Sequence, residues 1–333
     1  MKFVLLCPDT FTGGPFATLQ LNDSLIRLGY ESEILFYDIV KKPFFQYRRR
    51  SRKNFHIPKL TSDYFEVKYK KAPDLFLKNL DYKVCTKVYQ NDIIVLGEVQ
   101  IETLIELKNK GFNNCVLWWL SWDNAPLSVI NRFEYLSFIK NSINIFQSHY
   151  AKNEAKRLGI QGIIVSDYTL YDDKKIKSLF KKTNDICFFP AKARGSEGVI
   201  NHLKNFFSVI AIENMTQTEV QETLQSSKYF IDFGHHPGKD RIPREAALFD
   251  CIPIFRKAGA AGNMKDVGLP DTLKLQIEDM MNHENMVNKI RDIDKNRHHF
   301  LQKLEIYKKQ ILSEAALFDK EVLAFSKLFR ANR

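Results

Sequence analysis

The sequence predicts an α/β protein built from two tandem Rossmann-like, doubly wound domains that face each other across a cleft. Three observations predict it. Apolar runs of strand length alternate with stretches of helical period, the pattern of parallel strands joined by helices. The alternation pauses at a charged linker, YDDKKIKSLFKKTND (Tyr171–Asp185), and then restarts. The 333 residues exceed one comfortable core and suit two domains of about 150–180 residues each. The expected division is 1–175, 176–310, and a final helix, 311–333, placed to pack back on the first domain.

In the first half, FVLLCP reads as a strand, DTFTGGP as a loop punctuated by Gly13, Gly14 and Pro15, and ATLQLNDSLIRLGY as a helix closing on Gly29. ESEILFYD and DIIVLGEV read as strands, ETLIELKNKGF as a helix, and CVLWWLSW as a strand. RFEYLSFIKN, INIFQSHY, AKNEAKRLGI and GIIVSDY continue as helix, strand, helix, strand. In the second half ICFFP, SVIAIE, KYFIDF and CIPIF read as strands, separated by the helices VINHLKNFF, TEVQETLQSS and REAALFD. From Asp271 onward the chain reads as mostly helical.

Apolar residues make up 44%, enough for real cores. No run of about 18 apolar residues occurs, so no transmembrane helix is expected. The apolar start, Phe3 to Cys7, is followed by Asp9 and reads as a buried strand rather than a signal peptide. The five cysteines are scattered singly with no CxxC, which points to a reducing, cytoplasmic compartment and no zinc pattern. The net charge of +11 favours anionic partners without choosing among them.

In doubly wound sheets ligands bind at the carboxyl ends of strands, where strand order reverses. The unusual loops all follow strands. After KYFIDF comes GHHPGKDRIPREAA, where Lys239, Arg241 and Arg244 cluster beside a helix start marked by Pro243. Glu245 is expected in the first turn of that helix. Such a place suits phosphate, and a carboxylate there can accept from both hydroxyls of a ribose. The alternative is a surface loop in which Asp240 and Glu245 pair with these cations. Of His235 and His236, one is expected to face in and one out. Either binds phosphate, acts as a base, or bonds a backbone carbonyl. Gly238 completes the loop. No metal is expected, because no second His/Cys/carboxylate cluster shows ligand spacing.

The KARGSEG loop offers Lys192 and Arg194 as a phosphate cradle, or is an ordinary turn; it lacks both glycine-rich nucleotide fingerprints. Gly13 and Gly14 allow close backbone approach, or form a plain turn. WDNAP places Asp123 and Asn124 past a buried aromatic strand, with Asp123 as a general base or sugar-hydroxyl binder, or as a helix N-cap. Glu98 and Asp167 also end strands.

YFIDFGHHPGKDRIPREAALFDCIPIF resembles the C-terminal domain of the glycosyltransferase-B fold, in which a strand and loop lead to a Pro-Glu-Ala helix start and then another strand. Glu245 matches the second glutamate of the paired-glutamate motif that holds ribose; Pro237 stands where the first would be, and Asp250 replaces a glycine. TGGP (Thr12–Pro15), WWLSWDN (Trp118–Asn124), SDY (Ser166–Tyr168) and HPGKDRIPREAA (His236–Ala247) together resemble glycosyltransferases of capsule and O-antigen gene clusters. The resemblance implies a metal-independent transferase that moves a sugar from a nucleotide-sugar donor to a saccharide or lipid-linked acceptor. The donor is a substrate, and no cofactor is implied. Lys192, Arg194, Lys239, Arg241 and Arg244 would hold the donor phosphates and Glu245 its ribose. Asp123 and His236 are the catalytic candidates. Gly13, Gly14, Asn124, Asp167, His235, Gly238 and Asp240 would line the cleft.

One segment stands apart. KKPFFQYRRRSRKNFH (Lys41–His56) mixes seven Lys/Arg with four aromatic residues. It suits an anionic membrane surface on the inner face, a solvated loop beside the acceptor, or, less readily, single-stranded nucleic acid. The competing readings are a basic nucleic-acid- or membrane-binding protein and an inactive relative of transferases. No helix-turn-helix, zinc-finger or RNA-recognition pattern supports the first.

Overall fold

The computed structural model describes residues 2–8, 13–37, 63–67, 82–125, 130, 133–173, 176 and 181–329. The basic segment Lys41–His56 and the residues DTFT (9–12) lie outside the described residues. The chain divides into two compact units, Met1–Asp167 with Ala316–Arg333, and Tyr168–Ala315.

The first unit opens with β1 (Phe3–Pro8), α1 (Gly13–Arg27) and β2 (Ser32–Tyr37). A small antiparallel pair follows, β3 (Tyr64–Glu66) with β4 (Lys87–Tyr89). Then come β5 (Ile93–Gly97), α2 (Ile101–Asn109), β6 (Cys115–Trp119), α3 (Phe133–Lys140), β7 (Ile143–Phe146), α4 (His149–Arg157) and β8 (Ile163–Ile164). The order β2-β1-β5-β6-β7-β8 is parallel throughout. Strand order therefore reverses between β1 and β5.

The strands are near-continuous Val/Ile/Leu/Phe runs because helices cover both faces of a parallel sheet. In β6 all five residues are buried. Its two indoles keep their N–H groups satisfied: Trp118 Nε1 donates to Val165 O at 2.9 Å and Trp119 Nε1 to Asn144 Oδ1 at 2.9 Å. Each such side chain then contributes its burial, roughly 1.5–3 kcal/mol, without an orphaned donor.

The second unit holds β9 (Asn184–Phe188), α5 (Glu197–Leu203), β10 (Val209–Ala211), α6 (Gln217–Ser226), β11 (Ser227–Asp232), α7 (Arg241–Leu248), β12 (Ile252–Arg256) and β13 (Lys274–Leu275). Helices α8 (Ile277–Met281), α9 (His283–Lys295) and α10 (Arg297–Lys327) follow. The order β10-β9-β11-β12-β13 is again parallel, and it reverses between β9 and β11. A Thr216/Glu219 capping box starts α6, two reciprocal bonds that fix where the helix begins.

Several elements differ from expectation. Helix α1 begins at Gly13, so Gly13 and Gly14 form its first turn instead of a loop. The last helix starts at Arg297, and its residues from Ala316 belong to the first unit. There Asp319 accepts from Ser24 and Arg27, and Phe325 packs against Phe3 with ring centroids 5.8 Å apart. All five cysteines are buried and free. No described helix is long and apolar enough to cross a membrane.

Candidate functional site

The switch point of the second sheet selects two loops, those after β9 and β11. Lys192 ends a short 3-10 turn, Pro190–Lys192, after β9. Its Nζ forms an ion pair with Asp240 Oδ2 in the loop after β11. The two loops touch closely: a Cβ on Gly234 would come within 2.8 Å of Lys192 Cβ, which glycine alone avoids. Asp240 is also the N-cap position of α7, yet its side chain makes no capping bond because it turns to Lys192 and His236.

His236 faces inward, 1% exposed, while His235 is half-buried. His236 Nδ1 lies 3.2 Å from Asp240 Oδ2. Its Nε2 lies 3.2 Å from Asp232 Oδ2 but outside hydrogen-bond geometry. The ring stands edge-on to Phe255, centroids 5.2 Å apart. Its carbonyl accepts from Ala260 N at 2.8 Å, and Gly259, at φ 62°, passes so close that a Cβ would sit 2.0 Å from that oxygen. Burial alone would push the Asp232 carboxyl up; the attraction of His236 and Lys192 and the Gly234 N–H outweigh it and hold the group below the usual range.

Asp232, His236 and Asp240 thus form a group whose ligand atoms lie within 4.8 Å of one another. The expectation was that no second cluster shows ligand spacing; this group lies in the His235–His236 loop itself, where the sequence pattern did not mark it. Residues four apart in a loop do not announce themselves as a cluster. The arrangement is already charge-compensated, however. Lys192 sits on Asp240, and the two imidazole nitrogens face opposite carboxylates, so a metal ion would displace Lys192 and use only one nitrogen. As arranged, the residues do not fit a bound cation.

Three expectations for the basic cluster need correction. Arg244 is 1% exposed, and its guanidinium is engaged inside the protein: Nη1 donates to Glu314 Oε2 at 2.7 Å, Nη2 to Lys239 O at 3.0 Å, and Nε to Asp240 O at 3.1 Å. Lys239 Nζ lies 3.0 Å from Glu314 Oε1. These two cations hold the loop and are not presented as phosphate ligands. Glu245 lies in the second turn of α7, because the helix starts at Arg241, two residues before Pro243. The missed residue is Glu314, seventy positions downstream on α10, where the local sequence SEAALFD reads as an ordinary amphipathic helix.

Arg194 is exposed and Arg241 half-buried; Arg194 has no ion-pair partner among the described residues. Glu245 is only 6% exposed, and its carboxylate receives no hydrogen bond from a described residue. Burial raises its pKa, with Arg241 and Arg244 pulling the other way. Gly238 is buried within the loop.

In the first unit, Asp123 lies in a 3-10 turn, Trp122–Asn124, just past β6. It does not stand as the N-cap of a described helix. Tyr150 Oη donates to its two carboxylate oxygens at 3.2 and 3.0 Å. Asn124 is exposed and Asp167 buried. Buried Glu98, in the turn that follows β5 at the switch point, accepts from Leu120 N at 3.1 Å. A Cβ on Gly13 would meet nothing within 4 Å, leaving open space at the start of α1; one on Gly14 would lie 3.6 Å from Leu120 Cδ1.

Solved structures share this architecture over nearly the whole chain. Sucrose-phosphate synthase from Thermosynechococcus elongatus superposes with a TM-score of 0.61 at 10% identity, covering 99% of each chain. Trehalose-6-phosphate synthase OtsA does so with a TM-score of 0.58 at 9% identity over 98% of each. The fold is glycosyltransferase-B. It is the fold expected from the sequence, reached at identities that carry no further assignment. An α-glucosyltransferase in complex with UDP and a 13-mer DNA matches less closely, with a TM-score of 0.50 at 10% identity over 94% of each chain. No protein-family model and no curated protein sequence matches the chain. Within a glycosyltransferase-B fold, the loops after β9 and β11 lie where the sheet's own topology puts a ligand.

Proposed function

We propose that this protein is a nucleotide-sugar-dependent glycosyltransferase, with the donor held by the second unit. The observation that carries the reading is Glu245. A carboxylate this buried, without a hydrogen bond from a described residue, is costly unless something supplies donors. A ribose diol supplies two. It sits on the helix that leaves the switch-point loop, beside the cations that a phosphate needs. The shared fold with sugar-transferring enzymes supports the same reading.

In this reading Lys192, Arg194 and Arg241 meet the donor phosphates, with the field of α7's N-terminus behind them. Lys239 and Arg244 hold the loop, and His236 orients Asp240 from within. The anomeric carbon–oxygen bond breaks with its electron pair leaving on the phosphate. An acceptor hydroxyl oxygen forms the new bond, and its proton passes to a carboxylate base, the role proposed for Asp123. No divalent ion is required. The acceptor is a saccharide or lipid-linked saccharide of bacterial surface polysaccharide synthesis, supported by the motifs TGGP, WWLSWDN, SDY and HPGKDRIPREAA. The Lys41–His56 segment is the part proposed to meet an anionic membrane on the cytoplasmic side.

A thermal-shift screen with UDP, GDP, TDP, CMP and ADP tests the reading. One nucleotide should stabilise the wild type and not Glu245→Ala. No stabilisation by any of the five overturns it.

A further inference from the structure

The buried stripe of α10 in the second unit runs through Leu304, Tyr307 and Ile311, spaced three and four residues apart. The next position on that stripe is 314, where periodicity calls for another apolar residue. The chain places a carboxylate there, 3% exposed. Such a group carries a desolvation cost that only specific partners offset.

The partners are all in one place. Glu314 Oε2 accepts from Arg244 Nη1 at 2.7 Å and from Thr169 N at 3.2 Å, and Oε1 lies 3.0 Å from Lys239 Nζ. Arg244 in turn donates to the carbonyls of Lys239 and Asp240. One carboxylate therefore fixes a guanidinium that fixes the backbone at both residues preceding α7. Asp240, which pairs with Lys192, and Glu245, one residue past Arg244, are set by the same clamp.

We propose that Glu314 is a positioning residue for the donor site: it holds the Lys239–Arg244 segment, and so the places of Asp240 and Glu245, without itself touching the donor. The proposal rests on the donor reading for its functional half and on the clamp alone for its structural half. A residue that served only stability would lower the melting temperature and leave the nucleotide affinity of the folded protein unchanged.

The experiment uses the full chain carrying Glu314→Gln, an isosteric change, with Glu314→Asp beside it. Backbone hydrogen exchange is followed over residues 233–246, and affinity is measured by calorimetry for whichever of UDP, GDP, TDP, CMP or ADP binds the wild type. Exchange in that segment should quicken at least tenfold in Glu314→Gln, and the dissociation constant should rise at least tenfold. Glu314→Asp should recover part of both. Unchanged exchange overturns the clamp; faster exchange with unchanged affinity overturns the positioning role. If the wild type binds none of the nucleotides, the donor reading fails on its own, and the exchange result still decides the clamp. Should Glu314→Gln show no cooperative unfolding transition, Arg244→Lys replaces it. That variant keeps a cation for Glu314 but loses the donation to the two carbonyls, and the same two outcomes apply.

Discussion

Lys192 and Asp240 form an ion pair between two loops that leave adjacent strands of one sheet. A cation proposed to meet a donor phosphate is thus held by an internal carboxylate. A phosphate competes for it. Removing either partner should then change anion affinity in opposite directions. Lys192→Met should weaken binding of the nucleotide that stabilises the wild type by about 10- to 150-fold, the loss of one charge-assisted contact of roughly 1.5–3 kcal/mol. Asp240→Asn should tighten it severalfold. Calorimetry on both variants decides. Weaker binding in both would place Asp240 on the ligand surface and end the competition argument.

Glu245 gives a prediction in which function and stability move apart. Its folded-state pKa is raised above the ordinary 4.5, chiefly by burial. The folded protein therefore binds a proton more tightly than the unfolded chain does. Stability falls as pH rises from about 4.5 through the raised value, and the cost persists at pH 7. Glu245→Gln removes the charge and keeps the shape. The variant should melt at a higher temperature than the wild type at pH 7, with the gap closing toward pH 4. For a chain of this size each kcal/mol corresponds to about 2–4 °C or less. It should also lose the nucleotide-induced shift. A lower melting temperature at pH 7 would mean that the carboxylate has a partner stabilising its charged form.

The strands were legible because a parallel sheet leaves apolar runs such as FVLLC, IIVLG and CVLWW, which length and flanking turns mark clearly. The β3–β4 pair was not: Tyr64–Glu66 and Lys87–Tyr89 are three residues each, with mixed polarity, and their pairing joins segments far apart in sequence. β13 is two residues long and escaped for the same reason. Among the site residues, the loop was legible and its internal bonding was not. Lys239 and Arg244 read as phosphate ligands because nothing near them shows the carboxylate that engages them. Glu314 lies seventy residues on, in a stretch whose composition suits any surface helix. His236 was expected to be one of an in–out pair with His235, and it is the inward one.

Asp123 carries the proposed base role, and its partner sharpens the test. Tyr150 donates to both of its oxygens, which fixes the carboxylate's orientation. Asp123→Asn should reduce kcat by roughly 10²- to 10⁴-fold, the usual contribution of a general base. The dissociation constant for the nucleotide should stay within twofold, because the proposed donor contacts are Glu245 and the cations of the loops after β9 and β11. Tyr150→Phe should reduce kcat far less, since it removes orientation and leaves the base. Steady-state rates together with calorimetry separate the two. A changed nucleotide affinity in Asp123→Asn would move this residue from the acceptor to the donor.

The Asp232–His236–Asp240 group makes the metal question testable. Its three ligand atoms are close enough for an ion, but Lys192 already neutralises Asp240, and each imidazole nitrogen meets a different carboxylate. An ion bound there would have to expel an ammonium and leave one histidine nitrogen against a bare carboxylate, in a site 1% exposed at His236. That exchange offers little gain over the internal cation. Extensive dialysis against EDTA should therefore leave the nucleotide-induced shift and the melting temperature unchanged, and added Mg²⁺, Mn²⁺ or Zn²⁺ should not raise either. Lys192→Met removes the competing ammonium and should bind a divalent ion more tightly than the wild type does, visible as a larger metal-dependent rise in melting temperature. A rise with metal in the wild type itself would show that the ion displaces Lys192 unaided, and the donor phosphates would then have a metal partner in place of that lysine.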